Sequence, residues 1–118
     1  MRVFRGDIVL ADLPYSDARG SKVRPGLVVQ SDTNNRRLDD IILALITSTT
    51  HRAAVEPTQL LVDITTAEGQ QSGLLHTSAV KCEHLITLHH RLIKRVIGRL
   101  PTQAMAQIDD CLKASLGL

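Results

Sequence analysis

Arg24 and Thr47 are the two side chains whose type and position first suggest chemistry on a phosphate. Arg24 directly precedes Pro25 after a polar segment, where its guanidinium could donate two parallel hydrogen bonds to the non-bridging oxygens of a phosphate. Thr47 ends a continuous apolar run, and its hydroxyl could donate to the same phosphate or a flanking one. Taken alone, neither residue needs a functional role. Arg24 could be a solvated surface arginine, and Thr47 could supply a hydroxyl to the turn at the end of a strand.

A second group is Lys81-Cys82-Glu83-His84. Lys81 and Glu83 are two positions apart, so on a strand both side chains face the same way. Glu83 could then accept a proton while Lys81 stabilises negative charge or donates a proton. The alternative is a surface ion pair, which contributes about 0–1 kcal/mol to stability.

The five histidines are further candidates for proton transfer, because imidazole titrates near neutral pH. Most of them are expected to be bystanders, since His89 and His90 occupy a predicted turn and His51 follows a cluster of hydroxyl residues. The histidines lack metal-site spacing, and Cys82 and Cys111 stand far apart in sequence without a Cys-x-x-Cys pair. We therefore expect reduced thiols, no metal and no other cofactor.

The net charge of +2 is too small to indicate a polyanionic partner, so the distribution of charge matters more. Basic residues form three clusters: Arg19, Lys22 and Arg24; Arg36 and Arg37; and Arg91, Lys94, Arg95 and Arg99. If the first and third clusters share a face, they form an anion site. Otherwise they are ordinary solvated surface.

The elements that must position these residues are mostly short strands. A length of 118 residues predicts one domain, spanning residues 1–118. The first residues carry no apolar run followed by small residues, and no run of about eighteen apolar residues occurs, so we expect no export signal and no membrane span. Residues 15–22 read as a polar loop and residues 31–40 as a polar turn region, and Pro25 is compatible only with a strand edge or entrance. Apolar patterning predicts an amphipathic helix after Pro101 and strands at residues 6–13, 23–30, 41–46, 60–64, 78–82 and 91–100.

Two segments carry a specific resemblance. RGDIVLADL at residues 5–13 and GSKVRPGLVVQSD at residues 20–32 resemble the signature of the MazF/PemK toxins. The match continues at similar intervals through Ile46-Thr47, Gly73-Leu74, Thr77-Ser78 and Arg91-Leu92-Ile93 to a C-terminal helix ending in Ala114-Ser115-Leu116. The resemblance therefore covers nearly the whole chain.

The resemblance implies a mainly β fold, an SH3-like small β-barrel of the MazF/CcdB type, with appended helices. It implies a cytoplasmic homodimer with two RNA sites at or near the dimer groove. The activity implied is sequence-specific, metal-independent cleavage of single-stranded RNA, chiefly mRNA, through attack by a ribose 2′-OH. A cognate antitoxin is expected to silence the toxin by laying a disordered C-terminal segment across the groove.

The same resemblance assigns functional roles to named residues. The catalytic residues would be Arg24, Thr47, Glu83 and Lys81. The RNA-binding residues would be Tyr15, Arg19, Gly20, Ser21, Lys22, Gln30, Ser48 and His84. Because Phe4 and Tyr15 are the only aromatic residues, a broad stacking platform is not expected, and Tyr15 is the one candidate to stack on a base.

Two other functions stay open at this point. A gyrase poison of the CcdB type would share the fold and would be expected to end in a distinctive aromatic segment, whereas this chain ends Ser115-Leu116-Gly117-Leu118. A catalytically inactive barrel that binds RNA or an antitoxin-like regulator would have no need of Arg24 and Thr47.

Overall fold

Six strands and three helices are present in the computed structural model, which describes residues 2–14 and 21–118. A single turn of 3-10 helix, His90–Leu92, joins the last two strands. In chain order the elements are β1 (Asp7–Pro14), β2 (Ser21–Val28), α1 (Asp32–Arg37), β3 (Asp40–Thr47), β4 (Gln59–Val62), α2 (Ala67–Gln71), β5 (Ser78–His89), β6 (Ile93–Arg99) and α3 (Thr102–Leu116).

The strands form one antiparallel sheet in the order β4-β5-β3-β2-β1-β6. The predicted mainly β fold with a C-terminal amphipathic helix is confirmed. Within the described ranges, β4 and β6 are the two edges and do not pair with each other, so the barrel-like sheet stays open along this line.

Both faces of the sheet are buried, which explains why β3 is a continuous apolar run. One face packs against α3, with Ile8, Leu27 and Val80 in the same core as Met105 and Ile108. The opposite face has its own core, and its members include Val9, Ala11, Val28, Ile41 and Leu43. Neighbouring strands are therefore held from both sides.

Pro25 ends the pairing between β2 and β3. The ladder between these strands runs from Val28↔Leu43 to Gly26↔Leu45 and goes no further, whereas Pro25 still lies opposite Leu10 of β1. A proline has no N–H to donate to a neighbouring strand. The first half of β2 is thus paired on one side only, which agrees with the expectation that Pro25 tolerates only an edge position.

Strand β5 was predicted at residues 78–82 but continues past a bend to His89. Its register against β3 jumps from Ala44↔Leu85 to Leu45↔Lys81, so residues 82–84 have no partner in β3. Extra residues in one strand of an antiparallel pair bend that strand. The bend leaves the side chains of Glu83 and His84 exposed.

Two short helices were not predicted. In the region expected to be a polar turn, α1 begins after Ser31, whose hydroxyl accepts a hydrogen bond from the backbone N–H of Asn34, and ends with Arg36 and Arg37 in its last turn. The start of α2 is capped in the same way by Thr66. Both helices depend on end-capping interactions rather than on an apolar stripe, which explains why periodicity missed them.

A polar cluster around Arg5-Gly6-Asp7 joins the start of β1 to three other elements. The backbone N–H of Arg5 donates to Asp32 of α1 at 2.7 Å, and its guanidinium donates to Asp109 of α3 at 2.7 Å. Asp7 is 5% exposed and accepts hydrogen bonds from the backbone N–H of Phe4 at 2.8 Å and from Arg99 of β6 at 3.1 Å. This buried carboxylate therefore connects the start of β1 to the residues before it and to β6.

Asp7 and Asp12 offer a matched pair of substitutions, because both are on β1 and both form an ion pair with β6. We expect Asp7→Asn to lower the free energy of unfolding by about 1–3 kcal/mol, since its buried hydrogen-bond network is disrupted. The ion-pair partner of Asp12, Lys94, is exposed, so Asp12→Asn should lower the free energy of unfolding by less than about 1 kcal/mol. Urea unfolding measures both, and equal losses would contradict this account of the cluster.

Candidate functional site

A cleft of about 530 Å³ opens where β2 and β3 separate. Its walls come from β1, the middle of β2, the end of β3, the segment before β5 with the first residue of β5, and β6. The lining residues are Leu10, Arg24, Pro25, Ile46, Thr47, Ser48, Gly73, Leu74, Leu75, His76, Ser78, Arg95, Val96 and Ile97. The cleft thus contains two of the four residues predicted to be catalytic.

Arg24 and Arg95 line this cleft from two strands that flank β1. Arg24 lies opposite Ala11, and Arg95 lies opposite the adjacent Leu10. The first and third basic clusters of the sequence therefore each contribute one residue to this cleft. Two guanidinium groups at one cleft attract an anion and can donate several hydrogen bonds to it.

Hydroxyl groups line the side of the cleft at the end of β3. Thr47 is half-buried, and its Oγ1 accepts a hydrogen bond from the backbone N–H of Thr49 at 3.1 Å. Because the hydroxyl acts as acceptor in that bond, its proton can be donated to a bound group. Ser48 is exposed beside it.

The segment before β5 is held against β6 by direct backbone contact. Gly73 has φ +72°, and a Cβ at this position would lie 1.9 Å from the carbonyl oxygen of Ile97. On the β6 side, a Cβ at Gly98 would lie 2.2 Å from the backbone of Ser72. Only glycines permit this approach, which brings Leu74, Leu75 and His76 to the cleft.

The sequence does not single out His76, and it offers Arg95 only as a member of a basic cluster. Both residues reach the cleft because Gly73 lies against β6, a contact between positions far apart in the chain. The Gly73-Leu74 motif of the family resemblance was the one available signal, since a glycine before a strand can mark a close backbone approach. It did not reveal which strand would be approached.

Glu83 and Lys81 do not line the cleft. Both oxygens of the Glu83 carboxylate accept hydrogen bonds, from Thr58 Oγ1 at 3.0 Å and from Gln59 Nε2 at 2.7 Å. Partial burial would raise the pKa of Glu83, but these donors, a backbone N–H and the charge of Lys81 outweigh it and hold the pKa below its usual range. A carboxylate held in this way is a weaker base than a free one.

The other residues predicted to bind RNA are dispersed. Lys22 is exposed on β2, which begins at Ser21, and His84 is exposed at the bend of β5. Gln30 is buried outside the cleft, where its amide donates to Asn35 Oδ1 at 3.0 Å and to the carbonyl of Asp40 at 2.8 Å. Tyr15, Arg19 and Gly20 lie outside the described residues.

The two cysteines lie in the core between β5 and α3 rather than at the cleft. Burial, together with the neighbouring Cys111 and Glu83, raises the pKa of the Cys82 thiol to about 12. Burial also raises the pKa of the Cys111 thiol. Both groups are therefore protonated at neutral pH and are poor nucleophiles.

The part of the chain that the structure describes, residues 2–14 and 21–118, contains neither a cluster of metal ligands nor a helix able to cross a membrane. There, no three residues among His, Cys, Asp and Glu are grouped as a metal would need. No helix in the same part combines the length and the apolar character needed to cross a membrane.

The hydrogen bonds of Glu83 predict a pH-dependent contribution to stability. Its folded-state pKa is lowered, so the contribution is present above the unfolded pKa and is lost as the pH falls through the folded pKa. We expect Glu83→Gln to destabilise the protein near neutral pH and to have a smaller effect in acid. Urea unfolding at both pH values tests this, with Glu68→Gln on α2 as the control. A Glu83→Gln effect that grows in acid would contradict the assignment.

Comparison with known proteins places this geometry in a family. The family model described as PemK-like, MazF-like toxin of type II toxin-antitoxin system matches residues 4–116. An endoribonuclease from a mycobacterial species, solved in complex with its cognate antitoxin, superimposes with a TM-score of 0.79 at 23% identity, covering 98% of this chain and 96% of the other. The match to the Mycobacterium tuberculosis toxin MazF-mt6 has a TM-score of 0.75 at 24% identity, covering 95% and 97% of the two chains.

A MazE–MazF complex from Deinococcus radiodurans gives a TM-score of 0.74 at 18% identity, covering 100% of this chain and 99% of the other. At these identities the superpositions establish the shared fold. The family model, which spans nearly the whole sequence, establishes the family. The chain belongs to the PemK-like, MazF-like toxins of type II toxin–antitoxin systems.

Proposed function

We propose that the chain is a sequence-specific endoribonuclease that cuts single-stranded RNA at the cleft beside Arg24. The observation that carries this proposal is that Arg24 and Thr47, the two residues assigned to catalysis first, line one cleft together with Arg95. Family membership supports the same activity, since the mycobacterial structural relative is itself an endoribonuclease.

The proposed reaction uses the nucleophile that RNA carries. The ribose 2′-oxygen attacks the adjacent phosphorus, the bond from phosphorus to the 5′-oxygen breaks, and the products are a 2′,3′-cyclic phosphate and a 5′-hydroxyl. The reaction needs a proton acceptor, a proton for the leaving oxygen and positive charge for the phosphorane, but it does not need a metal. DNA lacks the attacking group, which accounts for the choice of RNA.

The cleft can supply the charge and the hydrogen bonds that this reaction needs. Arg24 would donate two hydrogen bonds to the non-bridging oxygens, whose negative charge grows in the transition state. The hydroxyl of Thr47 would donate to the same group, and Arg95 would bind a flanking phosphate. The position of the three residues around one opening supports these roles.

Glu83 and Lys81 are better suited to binding RNA than to proton transfer. They lie outside the cleft, and Glu83 is held as a carboxylate by Thr58 and Gln59. Together with the exposed His84, they would contact nucleotides beyond the scissile phosphate. Their assignment to the acid and base steps remains a prediction, and the kinetics of Glu83→Gln would test it.

The proposal further states that the chain forms a homodimer in the cytoplasm and binds a cognate antitoxin there. The mycobacterial and Deinococcus relatives were solved with their antitoxins. Apolar side chains beside the two arginines of the cleft, among them the largely exposed Leu75, would accept a peptide with apolar and acidic residues. Such a segment of the antitoxin would occupy the cleft in place of RNA, and it would fold as it binds.

Arg24→Ala should reduce cleavage by about a hundredfold to a thousandfold, because about 3–4 kcal/mol of transition-state stabilisation is lost. The assay digests a random-sequence pool of single-stranded RNA in EDTA and maps the new ends. Arg24→Lys should recover only part of the rate, since a lysine cannot donate in the same two-pronged geometry.

Arg37→Ala serves as the matched control, because Arg37 is exposed on α1 and does not line the cleft. It should cleave like the wild type. A folded Arg24→Ala protein that also cleaves like the wild type would refute the proposed role of Arg24. A wild-type chain that binds RNA without cutting it would favour the inactive binding module.

Light scattering tests the homodimer. We expect the purified protein to have twice the mass of one chain at micromolar concentration, since the RNA groove implied for the family is shared between two subunits. Arg24→Ala should not change this mass. A fully active monomer at the same concentration would exclude the shared groove.

A further inference from the structure

His76 is a titratable side chain at the cleft that the family-based assignment leaves unused. It lies in the segment before β5, is exposed, and lines the opening together with Arg24, Thr47 and Arg95. The remaining described lining residues are apolar side chains, Gly73, and the hydroxyl residues Ser48 and Ser78. The charged groups that line the cleft in the described part of the chain are Arg24 from β2 and Arg95 from β6.

The proposed reaction also needs a group that accepts the proton of the 2′-hydroxyl. Arginine stays protonated in proteins and cannot accept a proton, and serine and threonine hydroxyls are very weak bases. An imidazole can accept a proton near neutral pH. Among the described lining residues, His76 is therefore the side chain suited to be a base.

The backbone on both sides of His76 is fixed. Before it, Gly73 lies against the carbonyl of Ile97, a contact that no other residue type could make. After it, Ser78 Oγ donates to the His76 carbonyl oxygen at 2.8 Å, and Thr77 Oγ1 accepts from the backbone N–H of Ile64 at 3.2 Å. A side chain on a segment held in this way is well placed for catalysis, since proton transfer requires a defined position.

We propose that His76 is the general base of the RNA cleavage step. A nitrogen of the neutral imidazole takes the proton of the 2′-hydroxyl as the 2′-oxygen bonds to phosphorus and the bond to the 5′-oxygen breaks. The leaving 5′-oxygen takes a proton from water, and the imidazolium returns its proton to solvent. This inference rests on the proposed endoribonuclease activity and names the residue that starts it.

Glu83 is the competing base, and the geometry disfavours it. Its two carboxylate oxygens already accept hydrogen bonds from Thr58 and Gln59 on the β4 side of the bend in β5. It does not line the opening that Arg24 and Thr47 share. A base must come within hydrogen-bond reach of the 2′-hydroxyl, and His76 lines the opening that Arg24 and Thr47 also line.

The test compares His76→Ala and His76→Gln with His90→Ala, whose imidazole lines a different surface cleft together with Arg2 and Arg36. Single-turnover cleavage is measured on an RNA whose cut site has been mapped with the wild type. Both His76 variants should lose about a hundredfold to ten-thousandfold in rate, the range typical of general base catalysis. His90→Ala should match the wild type.

Three further readouts separate a base from a structural residue. The wild-type rate should rise tenfold per pH unit in acid and then level off, whereas the His76 variants should show no plateau. Added imidazole should restore part of the cleavage rate of His76→Ala and should leave the wild-type rate unchanged. Affinity for an RNA with a single 2′-deoxy nucleotide at the cut site should not change in either variant.

Each contrary result has a distinct meaning. Folded His76 variants with wild-type rates and pH profiles would overturn the proposal and leave the endoribonuclease intact. Weakened binding with an unchanged rate at saturating RNA would make His76 a binding residue and would also overturn it. If the wild-type chain cuts no RNA in the pool, both the proposed endoribonuclease activity and the role of His76 as its base are refuted.

Discussion

The proline at position 25 is the constraint on which the site depends. Without an N–H at this position, β2 pairs with β3 only from Gly26 onwards, while its first half stays paired with β1. The two strands therefore separate beyond Gly26, and Arg24 and Thr47 both line the resulting cleft. A fully paired β2–β3 ladder would close the space that the substrate is proposed to occupy.

The rest of the fold keeps this opening in a fixed shape. Strand β1 holds Arg24 on one side and Arg95 on the other, and its start is anchored by Asp7 to Arg99. Cores on both faces of the sheet hold the strands, and the contact of Gly73 with Ile97 adds the segment that carries His76. Positive charge and a proton acceptor thus meet at one cleft, although they come from distant parts of the sequence.

Much of the scaffold follows from apolar patterning, but less of the site does. The continuous run at residues 41–46 and the helical spacing after Pro101 predicted β3 and α3, since burial determines both. The helix α1 was missed because it depends on the Ser31 cap, and the length of β5 was missed because a bend leaves no periodic signal. Arg24 and Thr47 came from the family resemblance, whereas His76 depends on a backbone approach between Gly73 and β6 that spacing does not encode.

In the proposed reaction, an RNA 2′-hydroxyl is the nucleophile at the Arg24 cleft. The most direct measurement uses a mapped RNA substrate in which one nucleotide, the one 5′ of the cut, carries a 2′-deoxy ribose. We expect this RNA to bind with unchanged affinity and not to be cut, while the all-ribose RNA yields a 2′,3′-cyclic phosphate and a 5′-hydroxyl. Cleavage of the deoxy substrate at the same bond, leaving a 5′-phosphate, would contradict it.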